Sequence, residues 1–233
     1  MKDAVSMLEL MKARHSVRSF TEEKPSNELI SRLNEEIKLC NKEGNLNFQL
    51  VLDEPSAFSS ALAHYGKFSG VRNYIACVGK KSDNLQERVG FYGERLVLLL
   101  QFLSLNSCWV ALTFKKVQGA FTVASDEKLV CVICFGYGTT QGSAHKTKKF
   151  EQVCKVANPS EELRQCVEAA LLAPTSLNQQ KFSIFLNAEG KPEVKRSGIG
   201  IYTKVDLGIV RYHLATALKS SLDVMPLNNG KFF

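Results

Sequence analysis

The sequence predicts a protein that combines helices with strands, and two patterns indicate this. Apolar residues recur at helical spacing in several segments, for example at Leu29, Leu33 and Ile37. Short continuous apolar runs, such as 129–135, are typical of buried strands. The 233 residues, 45% hydrophobic and 23% charged, suffice for one large domain or two small ones with a buried core.

The predicted elements follow one another in a definite order. They are helices over 3–12 and 25–40, a strand over 48–52, a short helix over 55–64, a strand over 74–78, a long helix over 85–105, and strands over 108–112 and 129–135. The apolar stretch 96–105 within the long helix is about half the length that spans a bilayer, so we expect a buried helix there. Gly136-Tyr137-Gly138 ends the last strand.

The net charge of +7 is compatible with binding to nucleic acid, to a membrane surface or to an anionic ligand. Lysines and arginines are scattered, except for the cluster Lys146-Thr147-Lys148-Lys149. No interleaved aromatic residues or helix-turn-helix signature accompany this cluster, so we expect no nucleic-acid partner. The cluster is either a solvated loop or a site where Lys146 and Lys148 hold a small phosphate.

Seven cysteines, an odd number, are spread through apolar stretches, as is usual for buried thiols in a reducing compartment. Cys131 and Cys134 have a metal or redox spacing, but they lie in a predicted strand, where positions three apart face opposite sides. We therefore expect core packing and assign no metal site. The first eleven residues lack the apolar run of a signal peptide, so we expect the protein in the cytoplasm, away from any membrane.

Residues from 159 onward resemble a partial repeat of the first part at an offset of 134 positions. Pro25-Ser26-Asn27-Glu28-Leu29 matches Pro159-Ser160-Glu161-Glu162-Leu163, and Phe48 and Leu52 match Phe182 and Leu186. A proline and a small polar residue before a glutamate are a common helix start, so chance could give the first match alone. Continuation into the strand favours duplication.

Two polar motifs lie near opposite ends of the chain. Arg14-His15-Ser16-Val17-Arg18-Ser19-Phe20 offers two guanidinium groups and a hydroxyl, which suit a phosphate and the polar edge of a ring. Ala173-Pro174-Thr175-Ser176-Leu177-Asn178-Gln179-Gln180 places short polar side chains in a turn. Each motif alone is also compatible with carboxylate binding or turn capping.

The sequence resembles the FMN-dependent nitroreductase family in an ordered set of features. These are the two polar motifs, the long helix leading into 105–109, the strand ending at Gly138 and the Lys146-Thr147-Lys148 run. The resemblance is to members in which one chain carries a partly duplicated core. It implies an α+β fold with a mixed central sheet flanked by helices. Residues 1–150 are then a core half with the arginine motif, and 151–233 a partial repeat that replaces the partner subunit of a homodimer. We therefore expect a monomeric pseudo-dimer, with a homodimer as the alternative.

The resemblance also implies roles for individual residues. Arg18 is the catalytic candidate, a cation at the pyrimidine edge of the flavin that stabilises negative charge as hydride is taken up. The FMN-binding residues that it implies are Arg14, His15, Ser16, Arg18, Leu112, Thr113, Lys146, Lys148, Pro174, Thr175, Ser176 and Asn178.

The activity that the resemblance implies is an FMN-dependent oxidoreductase that takes hydride from NADH or NADPH. Its acceptor would be a small nitroaromatic, quinone or similar electron-poor molecule. The sequence departs from the family pattern at Ala111-Leu112, where glycines are common, and at Lys181-Phe182, where proline and tryptophan are usual. These departures favour the alternative of a flavin-binding member without turnover.

Overall fold

The computed structural model describes residues 6–220. In chain order the elements are α1 (Met7–Ala13), α2 (Asn27–Gly44), β1 (Leu46–Val51), α3 (Ala61–Tyr65), β2 (Asn73–Lys80), α4 (Leu85–Phe102), β3 (Asn106–Val110), β4 (Glu127–Gly136), α5 (Phe150–Val153), α6 (Glu161–Leu171), β5 (Phe182–Leu186), β6 (Pro192–Arg196) and α7 (Thr203–Ser220). Short 3₁₀ helices span Pro55–Phe58 and Ser176–Asn178. None of the described helices is long and apolar enough to cross a membrane.

The described chain forms two compact units, and neither is one continuous segment. The sheet unit comprises 14–85 and 95–143, and the helical unit comprises 6–13, 86–94 and 144–220. Helix α4 contributes its first half to the helical unit and its second half to the sheet unit. The division expected from the sequence, with a core half over 1–150 and a partial repeat over 151–233, stays a prediction.

The sheet unit contains a four-stranded sheet in the order β1-β2-β4-β3. All three ladders are antiparallel, so the mixed sheet expected from the resemblance is not what these four strands form. Parallel pairing occurs only at isolated bridges among the described residues, such as Ser16 with Ser107. The combination of helices with an antiparallel sheet still confirms the α+β class.

Both faces of β2 and β4 are buried, which explains the near-continuous apolar runs of these two strands. Helix α2 packs on β1 through a face that includes Leu33, Ile37 and Cys40. Beside this face, the buried guanidinium of Arg95 pairs with the carboxylates of Glu36 and, at 2.7 Å, Glu43. Burial of Glu36 raises the pKa of its carboxyl, and the nearby Arg95 opposes that shift.

The helical unit is built around α6 and α7, with the antiparallel β5-β6 hairpin against α7. Close backbone approach requires glycine in α7, because a Cβ added at Gly208 would lie 2.0 Å from the Glu87 carbonyl oxygen. The fully buried ring of His213 bridges α4 and α6. Its Nδ1 lies 2.8 Å from the Ala169 carbonyl oxygen and its Nε2 lies 2.9 Å from Glu94 Oε1.

Most predicted elements are confirmed with shifted ends. Ser26 and Ser160 cap α2 and α6, each accepting a hydrogen bond from the backbone N–H three residues later. The segment 55–64, predicted as one helix, divides into a 3₁₀ helix and α3. The strand predicted over 108–112 is displaced towards the amino terminus and ends at Val110. The predicted first helix begins at Met7 within the described part, and residues 3–5 lie outside it.

Candidate functional site

The arginine motif, residues 14–20, runs beside strand β3 in the sheet unit. The Val17 N–H donates to the Ser107 carbonyl oxygen at 3.0 Å, and the Val17 side chain is buried. Further along, the Phe20 N–H donates to Ser69 O and the Ser69 N–H donates to Arg18 O, both at 3.0 Å. These bonds hold the motif in an extended conformation between strand β3 and the segment around Ser69.

A glycine completes this anchoring. Gly70 has φ +66°, and a Cβ there would lie 2.2 Å from the Phe20 carbonyl oxygen. Only glycine takes this conformation at low cost while allowing the close approach. The Ser19 and Ser69 hydroxyls also lie 2.8 Å apart, so the backbone and one side chain of the motif are held in place.

The polar side chains of the motif differ in exposure. Arg14 is buried, at 4% of its full exposure, whereas Ser16 is half-buried and Arg18 is exposed. The Arg18 guanidinium carbon lies 5.9 Å from the centre of the Phe68 ring, which leaves its polar edge open to solvent. Burial, with the neighbouring charge of Arg14, lowers the pKa of His15. Arg18 and Ser16 are therefore the motif's accessible donors.

Directly beside the motif lies the thiol of Cys108. The Cys134 thiol and the Ser16 hydroxyl are hydrogen-bonded to it, and these bonds, with the charges of Arg18 and Arg14, lower the pKa of Cys108 despite its burial. Burial and the adjacent Cys108 raise the pKa of Cys134. The motif and the two cysteines are far apart in the chain, so no local sequence pattern indicates this contact.

Asn106 is a second residue near the motif that was not predicted from the sequence. Its buried side chain accepts a hydrogen bond from the Gly138 N–H at 2.9 Å and donates to Gln141 Oε1 at 3.0 Å. These bonds tie the segment after β4 to the start of β3. The only sequence feature that could have pointed to its role is its position at the start of β3.

Leu112 and Thr113 follow β3 in the same unit. Leu112 is 61% exposed, and neither it nor Ala111 is among the described residues with positive φ, so this backbone accepts side chains at both positions. Thr113 packs on Gly66, where an added Cβ would lie 2.9 Å from the threonine Cβ. The replaced glycines therefore introduce no strain here.

In the helical unit, the buried amide of Gln180 joins the lysine cluster to the polar turn. Its Oε1 accepts from the Lys148 N–H at 2.8 Å, and its Nε2 donates to the Lys146 carbonyl at 2.9 Å and to Asn178 Oδ1 at 2.7 Å. Lys148 Nζ donates to the Gln180 carbonyl at 2.7 Å. The Asn178 amide in turn donates to Lys146 O at 2.8 Å. The structure therefore brings Lys146, Lys148 and Asn178 together.

The polar turn, residues 173–180, is held by short bonds and by strained backbone. Thr175 accepts from Asn178 N at its carbonyl, 2.9 Å away, and from Gln180 N at its hydroxyl, 3.0 Å away. Pro174, Thr175 and Ser176 are half-buried. Positive φ values at Leu177 and Asn178, 51° and 53°, turn the chain and leave the Leu177 side chain 86% exposed.

Asp206, in the first turn of α7, accepts hydrogen bonds from the polar turn and so stabilises it. Its Oδ1 accepts from the Ser176 N–H at 2.8 Å, and its Oδ2 accepts from the Gln179 side-chain amide at 2.7 Å. Burial raises the pKa of Asp206 to about 6, against the lowering effect of these two hydrogen bonds.

Comparison with known proteins identifies the family. The model described as "Putative TM nitroreductase" matches residues 6–218. The chain belongs to this family. No curated protein matches the chain. A "putative nitroreductase" from Thermotoga maritima has a similar structure, with a TM-score of 0.68, 22% identity, and coverage of 95% of this chain and 87% of that one.

Two further structures share the nitroreductase fold at lower similarity. A "putative nitroreductase in complex with FMN" from Desulfovibrio desulfuricans has a TM-score of 0.52 and 16% identity, covering 66% of this chain and 98% of that one. A nitroreductase family protein from Streptococcus pneumoniae has a TM-score of 0.53 and 14% identity, covering 65% and 100%. At these identities the similarity shows the fold.

Proposed function

We propose that this chain binds FMN and is an oxidoreductase that takes hydride from NADH or NADPH and reduces small electron-poor acceptors, such as nitroaromatics or quinones. The observation that carries the proposal is the match of the nitroreductase family over residues 6–218. The complex of a structural neighbour with FMN supports the choice of cofactor. The seven cysteines, all free and buried, support a reducing compartment, the cytoplasm.

The donors of this chain suit a flavin mononucleotide. Arg18 offers an exposed guanidinium, Ser16 a half-buried hydroxyl and Lys146 an exposed ammonium, the groups that bind phosphate and polar ring edges. In the proposal, Arg14, Ser16, Lys146 and Lys148 hold the phosphate and ribityl chain. His15 contributes its backbone rather than its ring.

The ring of the flavin is assigned to a second set of residues. The backbone at Leu112 and Thr113 would face its reactive edge, and the polar turn would cover it with uncharged hydrogen-bonding groups from Pro174, Thr175, Ser176 and Asn178. The chemistry that FMN supplies when bound is transfer of hydride from the nicotinamide donor to the acceptor. The Arg18 guanidinium provides a positive charge that stabilises developing negative charge.

The test is reconstitution of the purified protein with FMN, followed by anaerobic addition of NADH or NADPH. Binding is measured by quenching of flavin fluorescence and reduction by loss of the visible absorption. Bound flavin that is bleached by either donor supports the proposal. Bound flavin that no donor bleaches favours the non-catalytic alternative, and failure to bind FMN contradicts both.

Three variants test the arginine assignment. We expect Arg18→Ala to weaken FMN binding by at least about tenfold, the value of a charge-assisted hydrogen bond. Arg32→Ala, which removes an exposed arginine from α2 in the same unit, should leave the affinity within about twofold. Arg14→Ala should also weaken FMN binding. Because Arg14 is buried, the thermal unfolding midpoint of this variant is measured as well, to separate a loss of affinity from a loss of stability. Equal affinities for the Arg18 and Arg32 variants would contradict the assignment.

We also propose that the chain works as a monomer with one FMN, as a fused pseudo-dimer would. Light scattering combined with the flavin-to-protein ratio tests this. A monomer with one FMN per chain supports the proposal, and a dimer that loses its flavin on dissociation contradicts it.

A further inference from the structure

Strand β4 carries two cysteines, and each faces a cysteine of a neighbouring strand. Cys131 is directly opposite Cys77 of β2, and Cys134 is directly opposite Cys108 of β3. Residues directly opposite in an antiparallel ladder have Cα atoms about 4.5–5.5 Å apart and point to the same side. A disulfide needs Cα atoms about 4.4–6.8 Å apart. The register therefore permits a cross-strand disulfide at both pairs.

The two pairs are matched in burial. In each, one cysteine retains 3% exposure and the other none, with Cys108 and Cys131 as the slightly exposed members. The ladders differ at the two pairs, because the register shifts between Cys77 and Val78 whereas Cys108 pairs in a regular register. With equal burial, the Cys77–Cys131 pair is a comparison for the Cys108–Cys134 pair that differs in its surrounding groups and in this register shift.

The surroundings of the pairs differ in charge. Cys108 lies beside the guanidinium groups of Arg18 and Arg14 and is hydrogen-bonded to the Ser16 hydroxyl and the Cys134 thiol, and these contacts lower its pKa. Cys77 is surrounded by apolar groups and other cysteines, so burial raises its pKa. Both thiols donate a weak hydrogen bond to a carbonyl, Cys77 to Ile75 at 3.8 Å and Cys108 to Trp109 at 3.5 Å. Only the first pair therefore combines a cationic neighbourhood with a facing thiol.

We propose that Cys108 and Cys134 are a redox-active dithiol, which a small hydroperoxide oxidises to a reversible cross-strand disulfide while Cys77 and Cys131 stay reduced. The Cys108 thiolate attacks one oxygen of hydrogen peroxide, the O–O bond breaks, and Cys108 sulfenic acid and water are produced once the leaving oxygen takes up a proton. Cys134 sulfur then attacks the Cys108 sulfur. The S–S bond forms, the S–O bond breaks, and the Cys134 proton leaves in a second water. The two thiols lose two electrons and two protons, and peroxide is reduced to two waters.

The order of the two steps follows from the structure. Cys108 is the attacking residue, because it retains 3% exposure and lies near Ser16, Arg14 and Arg18, whereas Cys134 is fully buried and of these three groups lies near Arg18. A second thiol on the directly opposite residue favours the disulfide over further oxidation of sulfur. An external dithiol reverses the reaction by exchange.

The test exposes the purified full chain, without added FMN, to hydrogen peroxide for increasing times. Free thiols are then blocked with N-ethylmaleimide under denaturing conditions, and non-reduced tryptic peptides are analysed by mass spectrometry. Cys131 and Cys134 share one tryptic peptide, but Cys108 and Cys77 lie in different ones, 96–115 and 73–80. The peptide that becomes cross-linked therefore identifies the reacting pair.

We expect the 96–115 peptide to be cross-linked at least about tenfold faster than the 73–80 peptide, because the thiolate is the reactive species. Dithiothreitol should reverse the cross-link. Cys134→Ser should abolish it, and the matched Cys131→Ser should preserve it. Equal rates for both pairs, preferential cross-linking of 73–80, or no cross-link in the wild-type protein would overturn the proposal. FMN takes no part in this experiment, so its result is independent of the proposed function.

Discussion

The buried carboxyl of Asp206 predicts a pH dependence of stability with a definite sign. Its pKa is about 6 in the folded protein against an ordinary value of 3.8. Below about pH 4 both folded and unfolded chains hold the proton, and above about pH 6 neither does. Between these values only the folded chain holds it, so the free energy of unfolding falls as the pH rises.

The size of this effect follows from the same difference. One unit of pKa corresponds to about 1.36 kcal/mol, so ionised Asp206 makes the folded protein about 3 kcal/mol less stable at about pH 7 than at about pH 3.5. Asp206→Asn removes this titration and keeps an oxygen that accepts the Ser176 N–H. It loses the bond from the Gln179 amide, which costs about 1 kcal/mol at all pH values.

The assay is urea unfolding of wild type and Asp206→Asn, followed by circular dichroism over this pH range. We expect the stability of the variant relative to wild type to rise by about 3 kcal/mol from about pH 3.5 to about pH 7. Glu189→Gln is the control, because Glu189 is an exposed residue of the same unit whose pair with Lys191 is screened by solvent. A relative stability of Asp206→Asn that stays constant across the range would refute the reasoning. Carbon NMR of the Asp206 carboxyl provides the midpoint directly.

Three further substitutions test contacts in the two units. Gly208→Ala places a Cβ 2.0 Å from the Glu87 carbonyl oxygen, so we expect a loss of about 1–3 kcal/mol in urea unfolding, and unchanged stability would contradict the close approach. Asn106→Ala leaves the Gly138 N–H without its acceptor and should cost about 2 kcal/mol by the same assay, with no loss arguing against the bond. Gln180→Ala removes the side-chain hydrogen bonds to Lys146, Lys148 and Asn178 and should make the polar turn more sensitive to limited proteolysis, whereas an unchanged cleavage rate would show that the turn stands without it.

Local patterns were sufficient to predict most elements of the fold. Ser26 and Ser160 follow prolines and precede glutamates, and the helix starts there because the hydroxyl satisfies a free N–H of the first turn. Period-two reasoning also placed Cys131 and Cys134 on opposite faces of one strand, and both lie in the part of β4 that pairs in regular register with β2, where side chains alternate between faces. In contrast, the local pattern did not reveal that the segment 55–64 breaks after Phe58.

The contacts around the candidate site depend on distant parts of the chain. Gln180 reaches Lys146 across 34 positions, and no periodicity links a buried amide to a particular carbonyl so far away. The position of Cys108 beside Arg18 depends likewise on how the arginine motif pairs with β3. The motif residues were recognisable from the sequence, whereas the groups that hold and polarise them required the structure.

The bonds of Gln180 also bear on the thermodynamics of any ligand that contacts the polar turn. Immobilising a flexible side chain on association costs about 0.5–1.5 kcal/mol, mostly as entropy. Lys148 and Asn178 are already tied to the buried amide. A ligand therefore meets a surface whose ordering was completed during folding, and its association should show an entropy loss that arises mainly from the ligand itself.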